Sequence, residues 1–399
     1  MTRLWLAAVC SETGEWMLQI ALPILVYQAT GSAASTAAMM IVGLLPAVLL
    51  SPAAGVLADR LDRRKLLLAV SAGQAVVAAP LLGMSGSAVW AGYLVMAGQA
   101  SLAALFEPAR NALVRDLVGP DGVTAANGLL GMGTNLSRLT GAWLGGLLFA
   151  GGGVTLVYLG YAAVLLVAVG ALVKPFGTRH EPQPPGPAVR EWLDGIDMIR
   201  RDRRLWVIGT AMMMGAVSQG LFLALFVPFV LDVLGAGAGG VGLLRGVQAI
   251  GGLLAGAGVA VLARRVASGK LFGWGAVAFG VLGAVMWNGP YLTTALPVYI
   301  GLFIAVGVPG GVAVSGLLGI LQTAVPPAAT GRLTSSAFAA MALGNVLGML
   351  IGGLGAAWSP LMLNLQAALY LASGVLVLVL RPRSAEYPPH AAVAEQASR

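Results

Sequence analysis

Twelve stretches of mostly apolar residues follow one another along the 399-residue chain, and they constrain its fold more than any other feature. An α-helix rises about 1.5 Å per residue, so about 20 such residues cross a hydrocarbon core about 30 Å thick. Only 10% of the residues are charged, whereas soluble domains contain about 25%. We therefore predict an all-α membrane protein whose twelve transmembrane helices lie near 4–28, 36–58, 66–86, 89–110, 124–149, 154–174, 205–231, 240–263, 271–288, 294–320, 334–357 and 361–380.

The positions of the basic residues support this number of spans. Cytoplasmic loops of membrane proteins are enriched in Lys and Arg. With the N-terminus inside, all but two of the 23 basic residues fall in inner segments, and the exceptions, Arg138 and Arg245, lie within spans. Both termini are therefore expected in the cytoplasm. The net charge of +8 is explained by this topology and by contact with membrane lipids, not by nucleic-acid binding.

One proline-rich and charged segment divides the chain into two parts of similar size. Its first portion is expected to be extended, and its second to form an amphipathic helix on the inner membrane surface. The predicted units are a first six-helix half over 1–174, a cytoplasmic linker over 175–204, a second six-helix half over 205–380 and a disordered cytoplasmic tail over 381–399.

Short sequence repeats indicate that the two halves are duplicated units. Arg3-Leu4-Trp5 opens span 1 and Arg204-Leu205-Trp206 opens span 7, while similar glycine patterns occupy spans 5 and 11. Parallel six-helix repeats are typical of secondary transporters that bind substrate between the halves. The glycine patterns are Gly141, Gly145 and Gly146 in span 5, and Gly348, Gly352 and Gly353 in span 11.

The loop between spans 2 and 3, residues 55–65, reads GVLADRLDRRK. It resembles the G-x-L-A-D-R-x-G-R-R/K loop of the major facilitator superfamily, at the same place in the topology. The resemblance implies a conformational gate in which charged contacts latch the inner ends of the halves. A plain basic turn would explain the arginines but not the glycine or the aspartate. The gate residues are Gly55, Asp59, Arg60, Arg63 and Arg64, with Glu107 and Arg110 as a capping or gating pair at the inner end of span 4.

Further short matches look like the macrolide-efflux and enterobactin-exporter branch of that superfamily. They include Glu15-Trp16, Pro108-Ala109-Arg110 and Gly242-Leu243-Leu244-Arg245. This resemblance implies a monomeric, proton-coupled exporter of a small amphipathic compound, such as a drug, macrolide-like antibiotic, siderophore or secondary metabolite, in the plasma (inner) membrane. The alternative is a transporter that moves lysophospholipid between leaflets. We expect no cofactor, no metal and no enzymatic activity, because the sequence contains no Walker-type loop, metal-ligand cluster or nucleophile–base pattern.

Six polar or charged residues within the spans are candidates for a coupling and substrate cavity. An ionisable group in a membrane helix costs at least about 2.5 kcal/mol on insertion scales, so it is a functional candidate. Three of them, at i, i+3 and i+7, share one stripe of span 1 that must face protein or water. The six are Glu12, Glu15, Gln19, Arg138, Arg245 and Gln248.

The charges within the spans also have structural interpretations. Glu15 and Arg138 lie near the middle of spans 1 and 5, so they form either a coupling pair or an ion pair that only holds these spans together. Arg245 either contacts substrate or is a structural residue that pairs with Asp232. Glu15 is the carboxyl group that we expect to exchange protons during transport.

Overall fold

The computed structural model of the protein describes residues 1–83, 89–174, 203–262, 266–323 and 327–380, and it is a bundle of long helices. The predicted linker over 175–204 falls outside these residues except for its last two positions, and the tail over 381–399 falls outside them entirely. The helices are α1 (Thr2–Thr30), α2 (Ala33–Arg60), α3 (Arg63–Ala78, extended by a 3₁₀ turn, Ala79–Gly83), the segment Val89–Val173 that holds α4 to α6, α7 (Arg203–Pro228, extended by a π turn, Phe229–Val233), α8 (Gly237–Leu262), α9 (Ser268–Asn288), α10 (Leu296–Thr323), α11 (Pro327–Leu354) and α12 (Ser359–Leu380).

Glycines divide the long segment Val89–Val173 into three helices. Gly119 and Gly153 have φ angles of 67° and 65°, in the left-handed region that favours glycine, and the chain reverses direction there. The segment therefore contains α4 (89–118), α5 (120–151) and α6 (154–173). The described residues thus contain the twelve predicted helices, with ends that differ from the predicted ones by a few residues.

Ten described segments are long and apolar enough to cross a membrane on their own. One of them, Ala125–Val173, contains both α5 and α6. The first helix is absent from the ten because Glu12, Glu15 and Gln19 make it more polar than the others. The helix that least resembles a transmembrane segment is therefore the one that carries the predicted polar stripe.

The glycine repeat marks equivalent helix contacts in the two halves. Gly145 of α5 packs against the backbone of Met17 in α1, and Gly352 of α11 packs against Ala224 in α7. Small residues of this kind let membrane helices approach closely, where van der Waals contact stabilises their association. The repeat seen in the sequence is thus a repeat of helix packing.

The next glycine of each pattern joins one half to the other. Gly146 of α5 meets Gly242 of α8, and Gly353 of α11 meets Ala37 of α2. The α5–α8 contact continues to Gly246, which packs against Leu139. We refer to these two interfaces as the α5–α8 seam and the α2–α11 seam.

The α5–α8 seam is closed at one end of the bundle and open at the other. We name the end where α1 begins and α12 ends the basic end, because Arg3, Arg63 and Arg64 lie there. Towards the basic end, Gly131 of α5 and Gly256 of α8 continue the two facing stripes, but neither has a neighbour within 4 Å of an added Cβ atom. The helices of the seam therefore diverge towards the basic end.

The apolar cores follow the same division. The largest core joins all twelve helices at the end opposite the basic end and includes Leu22, Phe226 and Phe303. At the basic end the described residues form two separate cores, one in each half, represented by Leu67 and Leu333. The halves are therefore held together at one end, and a space between them opens towards the basic end.

Candidate functional site

Two adjoining cavities lie between the halves. The first cavity has a volume of about 480 Å³ and lies mainly against the first half. The second has a volume of about 460 Å³ and lies mainly against the second half. Gln219, Arg245 and Asn345 line both, so these residues mark the boundary between the cavities.

All six residues predicted for the cavity line one of these spaces. Because α1 turns by about 100° per residue, its polar stripe faces a single side, and that side is the first cavity. Glu12, Glu15 and Gln19 lie in the first cavity, Arg138 and Gln248 lie in the second, and Arg245 lies in both. Their roles in binding and coupling stay predictions.

The first cavity carries an ion-pair cluster around Arg110 of α4. One Nη atom of Arg110 pairs with the Glu12 carboxylate of α1, and the other lies 3.7 Å from Glu107 Oε1. The predicted proximity of Glu107 and Arg110 is therefore present. The contact with Glu12 was missed because the partners are 98 residues apart and only the packing of α1 on α4 brings them together.

Glu15 belongs to a chain of hydrogen bonds that crosses the first half. Gln74 of α3 donates from Nε2 to Glu15 Oε1 at 3.2 Å, and Gln99 of α4 donates from Nε2 to the Gln74 carbonyl at 2.7 Å. The Tyr161 hydroxyl of α6 donates to Gln99 Oε1 at 2.7 Å. A neutral amide is thus the hydrogen-bond partner of Glu15, and the amides tie α1, α3, α4 and α6 together.

The predicted ion pair between Glu15 and Arg138 is not formed. Successive residues of α1 point about 100° apart, so Glu15 faces α3 whereas its neighbour Trp16 faces α5. The guanidinium carbon of Arg138 lies 5.9 Å from the centre of the Trp16 ring, and Arg138 Nε has no hydrogen-bond partner. Arg138 is therefore a half-buried cation, with a buried Nε atom, on the seam side of α1.

Arg245 does not pair with Asp232 either, which corrects the second proposed pairing. Arg245 Nη1 donates to Gln248 Oε1 at 2.9 Å, and the guanidinium carbon lies 4.9 Å from the Phe222 ring centre and 5.6 Å from the Trp16 ring centre. Asp232 lies in the turn that ends α7, where its carboxylate accepts a hydrogen bond from the Tyr27 hydroxyl. Arg245 thus points into the cavity.

The hydrogen bond from Tyr27 to Asp232 links the two halves at the end opposite the basic end. Sequence reasoning missed it, although a signal was present. The two residues end spans 1 and 7 at a separation of 205 residues, which is close to the spacing of the sequence repeat. Equivalent residues of two repeated halves contact each other only where they lie near the axis that relates the halves, and Tyr27 and Asp232 are in contact.

The basic loop after α2 makes contacts within the first half. Arg63 pairs with Asp116 of α4, and Arg64 Nε donates to the Leu172 carbonyl of α6 at 2.8 Å. Among the described residues, the contacts of Arg63 and Arg64 in this conformation stay within the first half, and the two halves are apart at this end. Asp62 accepts a hydrogen bond from the Lys65 amide at 3.0 Å and caps α3.

The other three predicted gate residues lie in the last turns of α2. Gly55, Asp59 and Arg60 are helical in the backbone, but the side chains of the two charged residues lie outside the described part of the chain. Among the described residues, no group of three His, Cys, Asp or Glu side chains is arranged to hold a metal ion.

Comparison with known proteins agrees with this architecture. Residues 4–338 match the family model described as Major Facilitator Superfamily. The uncharacterized MFS-type transporter YfiS of Bacillus subtilis (strain 168) is 25% identical over 392 residues, which cover 93% of this chain and 88% of that protein. The multidrug efflux pump Tap of Mycobacterium tuberculosis (strain ATCC 25618 / H37Rv) is 29% identical over 364 residues, which cover 86% of this chain and 84% of Tap.

A solved structure supports the same fold. A bacterial homologue of the iron transporter ferroportin, in its inward-facing state, aligns with a TM-score of 0.75 and 17% identity, covering 96% of this chain and 98% of that one. The family match spans most of the chain, and the helices form the two six-helix halves that the sequence predicts. The chain therefore belongs to the Major Facilitator Superfamily and is a multi-pass membrane transporter, not an enzyme.

Proposed function

We propose that this transporter is a proton-coupled exporter of small amphipathic compounds, located in the plasma membrane with both termini in the cytoplasm. The observation that carries the proposal is the placement of Glu15. Its carboxyl group lies in the middle of a spanning helix, lines a cavity between the halves and is hydrogen-bonded to the amide of Gln74. Similarity to Tap, which is a multidrug efflux pump, favours export of drug-like compounds.

In this proposal the halves move as rigid bodies about the cavities. The described conformation, with the α5–α8 seam closed at one end, is the state that collects substrate from the cytoplasm at the basic end. Opening the shared core and closing the basic end would present the same cavities to the other side of the membrane. The gate residues, including Asp59, would make contacts between the halves only in that second state.

Proton coupling requires a group whose proton affinity differs between the two states. Burial in a low dielectric disfavours the charged form of a carboxyl group, whereas water stabilises it. Glu15 has an amide as its hydrogen-bond partner, so opening and closing the cavity would change its hydration without a fixed counter-charge. Glu12, in contrast, is paired with Arg110, which is a fixed counter-charge.

The test uses everted membrane vesicles, in which export appears as accumulation. A panel of fluorescent drugs and macrolides is offered with a pH gradient imposed and then collapsed. We expect Glu15→Gln to abolish accumulation driven by the gradient while downhill exchange of substrate persists. Asp62→Asn is the control, because it makes the same change from acid to amide at an exposed residue outside both cavities, and asparagine caps a helix as well as aspartate does.

Two results would contradict the proposal. Accumulation by Glu15→Gln as high as that of the wild type would exclude Glu15 as the coupling group. Movement of a fluorescent lysophospholipid between leaflets, without accumulation of any drug in the panel, would favour the lipid transporter instead. Neither result depends on the identity of the physiological substrate.

A further inference from the structure

We propose that the second cavity binds the oxyanion of an amphipathic substrate between Arg138 and Arg245. This inference rests on the proposed export function and names the substrate class of that site. The ligand would carry a carboxylate, sulfonate or phosphate on an apolar or aromatic body. It is either a soluble organic anion or a lipid with an anionic headgroup.

The two cavities differ in the charged residues that line them. In the first cavity Arg110 offsets Glu12 and Glu107, and Gln74 satisfies Glu15. The described residues that line the second cavity include two arginines but no Asp or Glu. A cation inside a membrane is expensive unless it has a partner, so two unbalanced arginines indicate a site for an anion.

The two arginines lie close together and have unused hydrogen-bond donors. Arg138 on α5 and Arg245 on α8 come from different halves, yet both guanidinium groups lie within 6 Å of the Trp16 ring centre, at 5.9 and 5.6 Å. Arg138 Nε is buried without a hydrogen-bond partner. A guanidinium group has five N–H donors, and Arg245 uses one of them on Gln248. The unused donors match the paired oxygens of an oxyanion.

Asn345 adds a third polar group at this place. It occupies the position of the second half that corresponds to Arg138 in the repeat, it lines both cavities, and its buried Oδ1 has no partner. The two halves thus direct polar atoms of different kinds at one space: Arg138 Nε is a donor for the oxyanion, whereas Asn345 Oδ1 is an acceptor for a hydroxyl or N–H group on the body of the ligand. A buried polar group without a hydrogen-bond partner costs free energy, so a ligand that supplies the partner gains binding free energy.

The rest of the lining indicates the body of the ligand. Apolar side chains form most of the wall, and they include Met212, Phe272, Phe279 and Met341. An inorganic ion would leave most of the 460 Å³ unfilled. An aromatic or aliphatic body would occupy this space and lose its contact with water.

The experiment compares three probes that share one fluorophore and differ in charge. Dansylglycine carries a carboxylate, its amide is neutral, and monodansyl-ethylenediamine is a cation. Fluorescence anisotropy with the purified full-length chain in detergent gives a dissociation constant for each. We expect dansylglycine to bind at least about tenfold more tightly than its amide, because charge-assisted hydrogen bonds are about twice as strong as neutral ones.

Variants assign this preference to the two arginines. Arg138→Gln and Arg245→Gln should each reduce the preference for the carboxylate about tenfold, and Arg138→Lys should keep part of it, because the charge remains but the fork of donors is lost. Lys270→Gln is the control, since it removes one positive charge from an exposed side chain outside both cavities, and it should leave the preference unchanged.

The proposal is overturned if the amide or the cation binds as tightly as the carboxylate, or if the glutamine variants fold and keep the preference. A second measurement does not depend on the fluorophore. At equal ionic strength, replacing chloride by sulfate should raise the midpoint of thermal unfolding more in the wild type than in Arg138→Gln, in which only the general stabilising effect of sulfate remains. If no dansyl probe binds and sulfate raises both midpoints equally, the proposal is wrong.

The source of the anion and the proposed export function are tested separately. Displacement of dansylglycine by lysophosphatidylglycerol, together with movement of that lipid between leaflets and no accumulation of dansylglycine in vesicles, would assign the site to a lipid headgroup. Accumulation of dansylglycine would assign it to a soluble anion. A failure of coupling at Glu15 leaves the anion preference intact, because binding is measured without a gradient.

Discussion

Adding one methyl group at Gly146 should shift the balance between the two conformations of the transporter. The Cβ atom would lie 2.6 Å from the Ala238 carbonyl oxygen and 2.8 Å from Gly242 Cα, well below van der Waals contact. Both obstacles are backbone atoms, so the helices themselves must separate by several tenths of an ångström. Overpacking of this kind costs about 1–3 kcal/mol.

In the proposed motion of the two halves, that cost applies to only one of the two states. The α5–α8 seam is closed in the described conformation and must part when the opposite end of the bundle opens. Gly146→Ala should therefore raise the ratio of the second conformation to the described one about 5- to 150-fold, which corresponds to the same 1–3 kcal/mol. Van der Waals contact between small residues stabilises the seam, and the added methyl group weakens that contact.

Distances between spin labels measure this shift. The chain has a single cysteine, so Cys10→Ser gives a background in which Ala150→Cys and Val233→Cys carry the labels. Both positions are exposed, they lie at the end opposite the basic end, and they belong to different halves. Gly146→Ala should increase the fraction of long distances measured by pulsed electron paramagnetic resonance.

Gly256→Ala provides the control for this measurement. It lies on α8, where an added Cβ atom would meet nothing within 4 Å, so the distance distribution should not change. If Gly146→Ala yields folded, monodisperse protein with the distances of the parent, then the seam does not set the balance between states. An equal shift in both variants would point to helix propensity and refute the steric argument.

Three further substitutions test other contacts. Asp59→Asn should slow transport while leaving substrate binding nearly intact, because the residue lies at the end of α2, 15 residues beyond Leu44, which lines the first cavity; a large loss of binding with unchanged transport kinetics would refute this. Tyr27→Phe removes the hydrogen bond to Asp232 and should raise the fraction of long spin-label distances, because a hydrogen bond contributes about 0.5–1.5 kcal/mol. Arg63→Gln removes the largely buried partner of Asp116 and should lower the midpoint of thermal unfolding, and an unchanged midpoint would show that the pair is not stabilising.

The number of helices and the duplication of the halves could be predicted because they rest on local sequence. An apolar stretch of about 20 residues predicts a membrane-spanning helix. Small residues at helical spacing predict a close contact between helices, as at Gly145 and Gly352. Sequence reasoning did not identify Asp62 as a helix cap, although an aspartate directly before a helix commonly accepts a backbone N–H. These features need no knowledge of the neighbouring helix.

The partners of the charged residues could not be predicted in the same way. Sequence shows that Glu15 and Arg138 each need a partner or water, but not which side of a helix they face. A shift of one residue along α1 decides which side chain faces Arg138: Trp16 faces it, whereas Glu15 faces Gln74. Ion pairs across 98 residues, such as Arg110 with Glu12, follow from packing and leave no local pattern.

The unequal distribution of the apolar cores has a kinetic consequence. The two cores at the basic end are complete within their own halves, whereas the core at the opposite end is shared and must be divided before the second state can form. An empty transporter should therefore dwell mainly with its cavities facing the basic end and make only brief excursions to the other state. Substrate that arrives from the basic end would nearly always find the cavities open. Substrate on the other side could enter them only during the short lifetime of the opposite conformation.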